Sequence, residues 1–226
     1  MLYICVKLNK MSEVNQHISK LREDFLKGTL SEQDVNLFPD IQFEKWMQEA
    51  IEANVTEVQA CTLSTVSADL KPNSRIIYLR EFAKHDFYFY TNFNSKKAQD
   101  IASNNNVCLT FFWPELERQI RIEGKVFKAS DEKSDAYFKV RPRDSQIGAW
   151  SSPQSKKIAN RTILEDIISV TSNLLEGKEI KRPDYWGGYV IKANYYEFWQ
   201  GRKNRLHDRI CYTLENQNWK IERLAP

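Results

Sequence analysis

Basic residues form three pairs along the chain, and each pair has the chemistry needed to bind a phosphate group. The pairs are Arg75 with Arg80, Lys96 with Lys97, and Arg141 with Arg143. A guanidinium matches phosphate oxygens with two hydrogen bonds, and the amino end of a helix adds a favourable dipole. The glycine-rich phosphate loops G-x-G-x-x-G and G-x-x-x-x-G-K-S/T do not occur in the sequence, so side chains would have to hold such a group. The alternative for each pair is a solvated surface position, which is commonest for lysine.

A second feature is the segment R-P-R-D-S-Q-I-G-A-W at Arg141–Trp150. It combines two guanidiniums with the hydroxyl of Ser145 and the flexible Gly148, and it follows a predicted helix that carries Tyr137 and Phe138. Guanidinium and hydroxyl groups in loops are commonly used to bind anions. The sequence therefore predicts an anion-binding loop, and an ordinary loop that ends a helix stays open as the alternative.

The third feature is E-F-W-Q-G-R-K-N-R-L-H-D-R at Glu197–Arg209, between two predicted strands. His207 next to Asp208 offers a side chain that titrates near neutral pH, although a structural hydrogen bond explains the same pair. If the segment is extended, alternation places Arg205, His207 and Arg209 on one face.

Two classes of site are excluded. No G-x-S-x-G motif exists for a serine hydrolase, and the four cysteines form no C-x-x-C pair for zinc or redox chemistry. They are Cys5, Cys61, Cys108 and Cys211. We predict no metal site, and we expect the cysteines to be reduced, apolar fillers.

Composition and charge narrow the class of protein. The 42% hydrophobic and 28% charged residues are typical of a globular domain with a core. The net charge of +3 is too small to argue for a nucleic-acid or membrane-surface partner. No apolar run approaches the roughly 18–20 residues of a transmembrane helix, and residues 1–8 lack the features of a secretion signal. We therefore expect a cytoplasmic protein.

The apolar pattern predicts elements that could position these groups in an α+β fold. Predicted helices are Met11–Gly28, Asp40–Ile51, Asn94–Ser103, Asp131–Val140 and Ser155–Leu175. Predicted strands are Val58–Ser67, Asn73–Arg80, Asp86–Thr91, Val107–Trp113, Arg118–Phe127, Trp186–Phe198, Arg209–Leu214 and Trp219–Arg223. Val107–Trp113 is predicted to be buried on both faces and Arg118–Phe127 on one. We expect one domain over residues 11–226, an antiparallel sheet that closes into a barrel, and a disordered extension at 1–10.

Several motifs resemble one known family in both order and spacing. They are R-I-I-Y-L-R at Arg75–Arg80, F-Y-T-N at Phe89–Asn92, S-K-K-A at Ser95–Ala98, E-R-Q-I-R-I-E-G at Glu117–Gly124, R-P-R-D-S-Q-I-G-A-W at Arg141–Trp150, Y-W-G-G at Tyr185–Gly188, E-F-W-Q-G at Glu197–Gly201, R-L-H-D-R at Arg205–Arg209 and R-L-A-P at Arg223–Pro226. The sequence resembles the pyridoxamine 5′-phosphate oxidase family from about Leu21 to its end.

The resemblance implies a split β-barrel homodimer with FMN at the subunit interface. It implies oxidation of pyridoxamine or pyridoxine 5′-phosphate by hydride transfer to FMN, which oxygen reoxidises with formation of hydrogen peroxide. The residues it implies for FMN are Arg75, Ile76, Ile77, Tyr78, Leu79, Arg80, Tyr90, Thr91, Lys96, Lys97, Gln119, Gln154, Ser155, Trp199 and Arg209.

For the substrate, the resemblance implies a second set of residues. They are Arg80, Tyr137, Arg141, Ser145, Arg205, Leu206 and His207, with Arg205 and His207 as the catalytic pair against the pyridine ring. Three positions depart from the family's usual pattern: Arg80 replaces a lysine, Lys96 replaces an arginine, and Phe25 replaces a tyrosine.

Two alternatives remain open. Another flavin reductase of the same barrel class would use FMN on a different substrate, but the R-P-R-D-S and R-L-H-D-R elements count against it. An RNA-binding barrel would use basic residues interleaved with Tyr and Phe, and the small net charge counts against that.

Overall fold

The computed structural model describes residues 13–21 and 24–226. Its centre is a nine-stranded sheet in which all pairs of neighbouring strands are antiparallel. The strands are β1 Ala60–Val66, β2 Pro72–Tyr78, β3 Glu81–Ala83, β4 Asp86–Asn92, β5 Asn106–Trp113, β6 Arg118–Lys128, β7 Trp186–Gln200, β8 Asp208–Glu215 and β9 Asn218–Arg223. The helices are α1 Pro39–Glu52, α2 Lys96–Ser103, α3 Asp131–Lys139, α4 Arg143–Ser151 and α5 Arg161–Leu175, and residues 13–20 are also helical.

The strand order makes the sheet curl. It runs β2-β1-β5-β6-β7-β4-β3, and β8 and β9 continue from β7. The two ends of that order, β2 and β3, are joined by Leu79 and Arg80 alone. The backbone N–H of Arg80 donates to the carbonyl of Tyr88 in β4. Such a short connection holds the two ends of the sheet together. The predicted α+β fold with an antiparallel barrel sheet is confirmed, and the sheet curls into a half-barrel.

Two apolar cores hold the elements in place. In the larger core, Phe43 of α1 packs edge-on against Phe82, Phe87 and Phe111 of the sheet. The smaller core contains Phe138, Ile147, Ala149, Ile180 and Trp186. It joins α3 and α4 to the start of β7 and so fixes the position of the segment between these helices.

The predicted first helix is wrong at its carboxyl end. Residues 21 and 24–28 are not helical. The N–H groups of Leu26 and Lys27 donate to the carboxylate of Glu117 at 2.7 and 2.8 Å, and Phe25 packs edge-on against Trp199. Tertiary contacts therefore replace the helical hydrogen bonds that the apolar spacing indicated.

Two further helix boundaries differ from the prediction. Most of Arg141–Trp150, predicted as a loop, is helix α4, because Ile147 and Ala149 pack into the smaller core despite Gly148. The helix predicted from Ser155 begins only at Arg161, where Asn160 accepts a hydrogen bond from the N–H of Ile163. Such N-capping explains the later start.

Two strand predictions also need correction. β5 was predicted to be buried on both faces, but buried and more exposed residues alternate along it, and Phe112 is 56% exposed. β8 begins at Asp208, and Arg205 lies in a turn with a φ of 61°. The expected alternation of Arg205, His207 and Arg209 on one strand face is therefore wrong.

The prediction for residues 1–10 lies outside the described residues. Within the described part of the chain, no helix is long and apolar enough to cross a bilayer.

Candidate active site

One cavity of about 710 Å³ contains most of the predicted phosphate-binding side chains. We call it the cationic cavity. Its lining includes Arg75, Ile76, Ile77, Tyr78, Arg80, Tyr90, Thr91, Lys97 and Gln154 from the predicted FMN set, and Tyr137, Arg141 and Ser145 from the predicted substrate set. Strands β2 and β4, the start of α2, the β2–β3 connection with Arg80 and the segment after α4 with Gln154 supply the first group. The second group comes from α3, α4 and the residues between them. The curl of the sheet brings both groups to one place.

Lys97 lines this cavity and has no anionic partner among the described residues. Its ammonium donates to the Thr91 hydroxyl at 3.0 Å, the Ser95 hydroxyl at 3.3 Å and the Gln154 side-chain oxygen at 3.4 Å. Burial, together with the nearby charge of Arg75, lowers the pKa of Lys97 to about 8. An anion placed here would stabilise the protonated form.

Protein groups bind one of the two terminal nitrogens of the Arg75 guanidinium. Its NH1 group donates to the carbonyl of Leu63 at 3.1 Å and to the hydroxyl of Thr65 at 2.8 Å. Asp100 is more distant, with 3.8 Å between its carboxylate and the Arg75 NH2 group. Burial lowers the pKa of Arg75 while Asp100 opposes that effect. The Arg75 charge is thus only partly compensated.

A stack of aromatic rings supports the part of the cavity that Tyr137 and Arg141 line. Tyr90 and Tyr137 are parallel with 3.8 Å between ring centroids, and Trp186 lies nearly parallel to both. The Arg141 guanidinium carbon lies 4.4 Å from the centre of the Trp186 ring. The NH1 atom of Arg141 is buried and has no hydrogen-bond partner among the described residues. A buried, unpaired guanidinium nitrogen fits a position for an anionic ligand.

A separate cavity of about 1210 Å³ contains the predicted catalytic pair. We call it the C-terminal cavity, and Phe25, Arg205 and His207 are among its lining residues. The N–H of Arg202 donates to Nδ1 of His207 at 3.1 Å. Burial and the charge of Arg205 lower the pKa of His207. The imidazole is therefore neutral near pH 7 and carries its proton on Nε2, where it can donate to a ligand.

Three more predicted FMN residues lie on neighbouring strands. Gln119 of β6 pairs in register with Trp199 of β7, and Trp199 pairs with Arg209 of β8. Trp199 contacts His207 with 4.6 Å between ring centroids. The Arg209 Nε group donates to buried Glu197 at 2.8 Å. This Gln119–Trp199–Arg209 row lies beside the C-terminal cavity, and no residue of the row lines the cationic cavity.

Models of known families match two parts of the chain. Residues 47–173 match the model described as pyridoxamine 5′-phosphate oxidase. Residues 186–226 match the model described as the pyridoxine 5′-phosphate oxidase C-terminal dimerisation region.

Curated relatives match along nearly all of their length. A pyridoxine/pyridoxamine 5′-phosphate oxidase of Acaryochloris marina is 47% identical over 209 residues, which are 92% of this chain and 95% of the relative. One from Leptospira interrogans is 47% identical over 210 residues, covering 92% and 98%. The chain belongs to the pyridoxamine 5′-phosphate oxidase family.

Solved structures confirm the split-barrel fold expected for this family. PhzG from Burkholderia lata, solved in complex with tetrahydrophenazine-1-carboxylic acid, has a TM-score of 0.82 at 25% identity and covers 88% of this chain and 98% of its own. A pyridoxamine 5′-phosphate oxidase-related, FMN-binding protein from Nostoc punctiforme has a TM-score of 0.65 at 16% identity, covering 81% and 97%. The second likeness concerns the fold alone.

The three departures from the family pattern fall at different places in the structure. Arg80 lines the cationic cavity, with its guanidinium 5.0 Å from the Tyr78 ring centre. Lys96 does not line the cavity; its ammonium pairs with Asp100. Phe25 lines the C-terminal cavity and packs against His207.

Three other predicted family positions lie outside both cavities. Leu79 is buried in the larger core. Ser155 follows Gln154 with a left-handed φ of 68°. Leu206 is exposed and lines a smaller cavity next to Phe25. The structure brings none of them to the cationic cavity in this protomer.

Sequence reasoning missed several residues of the site. Trp186, which supports Arg141, stands in the Y-W-G-G motif, so a signal for it was present in the sequence. Thr65 and Asp100, which surround Arg75, carry no such signal. Their proximity depends on strand register and on the packing of α2, which spacing alone does not give. No group of three or more potential metal ligands occurs among the described side chains.

Proposed function

We propose that this protein oxidises pyridoxamine 5′-phosphate and pyridoxine 5′-phosphate to pyridoxal 5′-phosphate, with FMN as cofactor and oxygen as the final electron acceptor. Family membership over most of the chain supports the reaction. The observation that carries the proposal is the cationic cavity, which holds two separate sets of basic groups. Arg75 and Lys97 form one set, and Arg80 and Arg141 form the other. A flavin phosphate and a substrate phosphate together require two such sets.

The donor set fits FMN in the first position. Arg75 offers a partly compensated guanidinium, and Lys97 offers an ammonium whose described partners are all neutral. A phosphate dianion would satisfy both charges, which explains why two cations are half-buried side by side. When bound, FMN supplies the two-electron chemistry between the substrate and oxygen, with hydrogen peroxide as the second product.

The second position fits the phosphate of the substrate. The unpaired NH1 atom of Arg141 offers a hydrogen bond, and Arg80, Tyr137 and Ser145 line the same part of the cavity. Trp186 holds the Arg141 guanidinium by a cation–π contact. These residues bind and orient the substrate, and they do not take part in its oxidation.

We further propose that the complete site forms between two protomers. The cationic cavity and the C-terminal cavity share no lining residue within one protomer. The matched dimerisation region, residues 186–226, contains Trp199, Arg205, His207 and Arg209. Ile76 and Phe112 expose apolar side chains, 62% and 56% exposed, as expected for a surface that another protomer covers.

In the dimer, the C-terminal cavity of one protomer would meet the cationic cavity of the other. The Nε2–H group of a neutral His207 would donate a hydrogen bond to the substrate ring, and Arg205 would supply a positive charge beside it. The Gln119–Trp199–Arg209 row would contact the flavin. On this basis we assign Arg205 and His207 the catalytic role. We also assign Leu206 the substrate-binding role and Ser155 the FMN-binding role that the family resemblance implies.

We also propose a cytoplasmic location. The described cysteines, Cys61, Cys108 and Cys211, are all free thiols. Free buried thiols are typical of reducing compartments. Cell fractionation with an antibody against the protein would check this, and recovery outside the cytoplasm would contradict it.

The function is tested with the purified protein. We expect it to be yellow, to release FMN on denaturation, and to form hydrogen peroxide with pyridoxamine 5′-phosphate. Pyridoxamine without its phosphate is the matched control and should be a far poorer substrate, because Arg80 and Arg141 would lack their anion. A colourless protein that FMN does not reconstitute, or equal turnover of both amines, would contradict the proposal.

A further inference from the structure

The side chain of Thr65 lies between Arg75 and a buried carboxylate. Its hydroxyl accepts a hydrogen bond from the NH1 group of Arg75 at 2.8 Å and donates one to Asp100 at 2.8 Å. Thr65 and Asp100 are each 1% exposed. The three residues come from β1, β2 and α2, so the arrangement joins three elements beneath the cationic cavity.

Asp100 has enough donors around it to stay ionised. Asn73 donates to it at 3.2 Å, and Lys96 forms an ion pair with it. Burial alone would raise the pKa of Asp100, but the hydrogen bonds from Lys96 and Thr65 and the charges of Lys96 and Arg75 lower it. Lys96 is therefore used to compensate Asp100, which explains why it does not line the cavity.

The hydroxyl keeps Arg75 from forming a close ion pair with Asp100. The distance between the Arg75 NH2 group and the carboxylate is 3.8 Å, longer than a charge-assisted hydrogen bond of about 2.7–2.9 Å. Thr65 and the carbonyl of Leu63 both bind the NH1 group. The other guanidinium N–H groups have no hydrogen-bond partner among the described residues, so they are free for a ligand.

We propose that Thr65, held by Asp100, is a positioning residue that directs the Arg75 guanidinium toward the phosphate of FMN. The inference rests on the proposed FMN site and adds to it a residue that does not touch the ligand. Without the hydroxyl, the Arg75 side chain would turn toward Asp100. Of the two cations, only Lys97 would then face the phosphate, although the substitution removes no charged group from the protein.

The test measures the affinity of the full-length protein, stripped of its flavin, for FMN and for riboflavin. Thr65→Val removes the hydroxyl with little change in shape and should weaken FMN binding about tenfold, the effect expected for one charge-assisted hydrogen bond. Riboflavin affinity should stay within about twofold, because riboflavin has no phosphate. Thr65→Ser restores the hydroxyl and should restore FMN affinity. Ser64→Ala is the matched control, since the Ser64 hydroxyl bonds to Ser74 instead.

A double-mutant cycle tests whether Thr65 affects FMN affinity through Arg75. In an Arg75→Ala background, Thr65→Val should have no further effect on FMN affinity. If Thr65→Val does not fold, Thr65→Ala is compared with Thr65→Ser in the same way.

Three results would overturn the inference: unchanged FMN affinity in Thr65→Val, an equal loss of riboflavin affinity, or a full effect of Thr65→Val without Arg75. A wild-type protein that binds no FMN would instead overturn the proposed function, and this inference with it.

Discussion

Lys97 has two properties that would couple its protonation to the binding of a phosphate. Its described hydrogen-bond partners are all neutral, and burial beside Arg75 lowers its pKa to about 8. The free protein therefore begins to lose this proton close to physiological pH. A bound phosphate dianion would raise the pKa again, so binding and protonation are coupled.

FMN affinity should consequently fall as the pH rises through about 8. Below that pH Lys97 is protonated in the free protein, and above it each pH unit should cost up to about tenfold in affinity. The phosphate itself is a dianion throughout this range, since its second pKa is about 6. Fluorescence titration of FMN between pH 7 and 9.5 measures the effect. Lys97→Arg, which stays charged, should show a flat profile, and a flat profile in the wild type would contradict the assignment.

Arg80 tests the position of the substrate phosphate. Arg80→Ala should raise the KM for pyridoxamine 5′-phosphate about ten- to a hundredfold, because a charge-assisted hydrogen bond contributes about 1.5–3 kcal/mol. Arg80→Lys restores the family's usual residue and should be much milder, although it loses the bidentate fork. FMN affinity should change little in both variants. Loss of FMN with an unchanged KM would place Arg80 on the flavin instead.

At the level of single residues, the sequence predicted which side chains could bind phosphate better than it predicted where those side chains point. Arginine and lysine pairs indicated phosphate binding, and most of them line the cationic cavity. The sequence could not separate Lys96 from Lys97, which are adjacent at the start of α2 but point about 100° apart on a helix. Only the fold shows that Lys96 pairs with Asp100.

Among the elements, the long strands β6 and β7 carry residues of both the core and the site. Their pairing shifts register between Glu123 and Gly124. A Cβ atom at Gly124 would lie 2.3 Å from the carbonyl oxygen of Lys192, closer than real atoms approach. Glycine at this bulge thus allows the close backbone contact that sets the register of Gln119 and Trp199.

Gly124→Ala should lower the free energy of unfolding by about 1–3 kcal/mol, because the added methyl group forces the two strands apart. Gly148→Ala is the matched control. It lies in helix α4, and apart from the backbone of its own helix and its chain neighbours no atom lies within 4 Å of the added Cβ, so the substitution should raise stability by about 0.5–1 kcal/mol. Chemical denaturation at equal protein concentration and saturating FMN measures both. Equal stability of the two variants would contradict this account of the bulge.

Element boundaries show which local signals were reliable. Alternation predicted most strands, because one face of each packs against the core. The three-residue strand β3, Glu81–Ala83, was missed because it is too short to alternate. Gly148 and Pro142 indicated a loop, yet burial of Ile147 and Ala149 makes Arg143–Ser151 a helix. Glu117 accepts a hydrogen bond from the N–H of Lys27 from 90 residues away, a contact that no local pattern contains.

At the scale of the whole molecule, the predicted site residues divide into two groups on one protomer. Position along the chain does not indicate this division, since the groups alternate: Arg75 and Lys97 precede Gln119, while Arg141 lies between Gln119 and Trp199. The structure separates them into the cationic cavity and the region around the C-terminal cavity. Under the proposed function, a site that needs both groups would form between two protomers in contact.

The most direct test of the shared site combines two inactive variants. Arg141→Ala disables the cationic cavity, and His207→Ala disables the C-terminal cavity, so each homodimer should have little activity. After the two are unfolded and refolded together, a mixed dimer would contain one site with both groups intact. Random mixing then predicts recovery of about one quarter of wild-type activity. If both groups of each site came from the same protomer, every site would carry one of the substitutions. Mixing would then restore no activity, and that result would contradict the account.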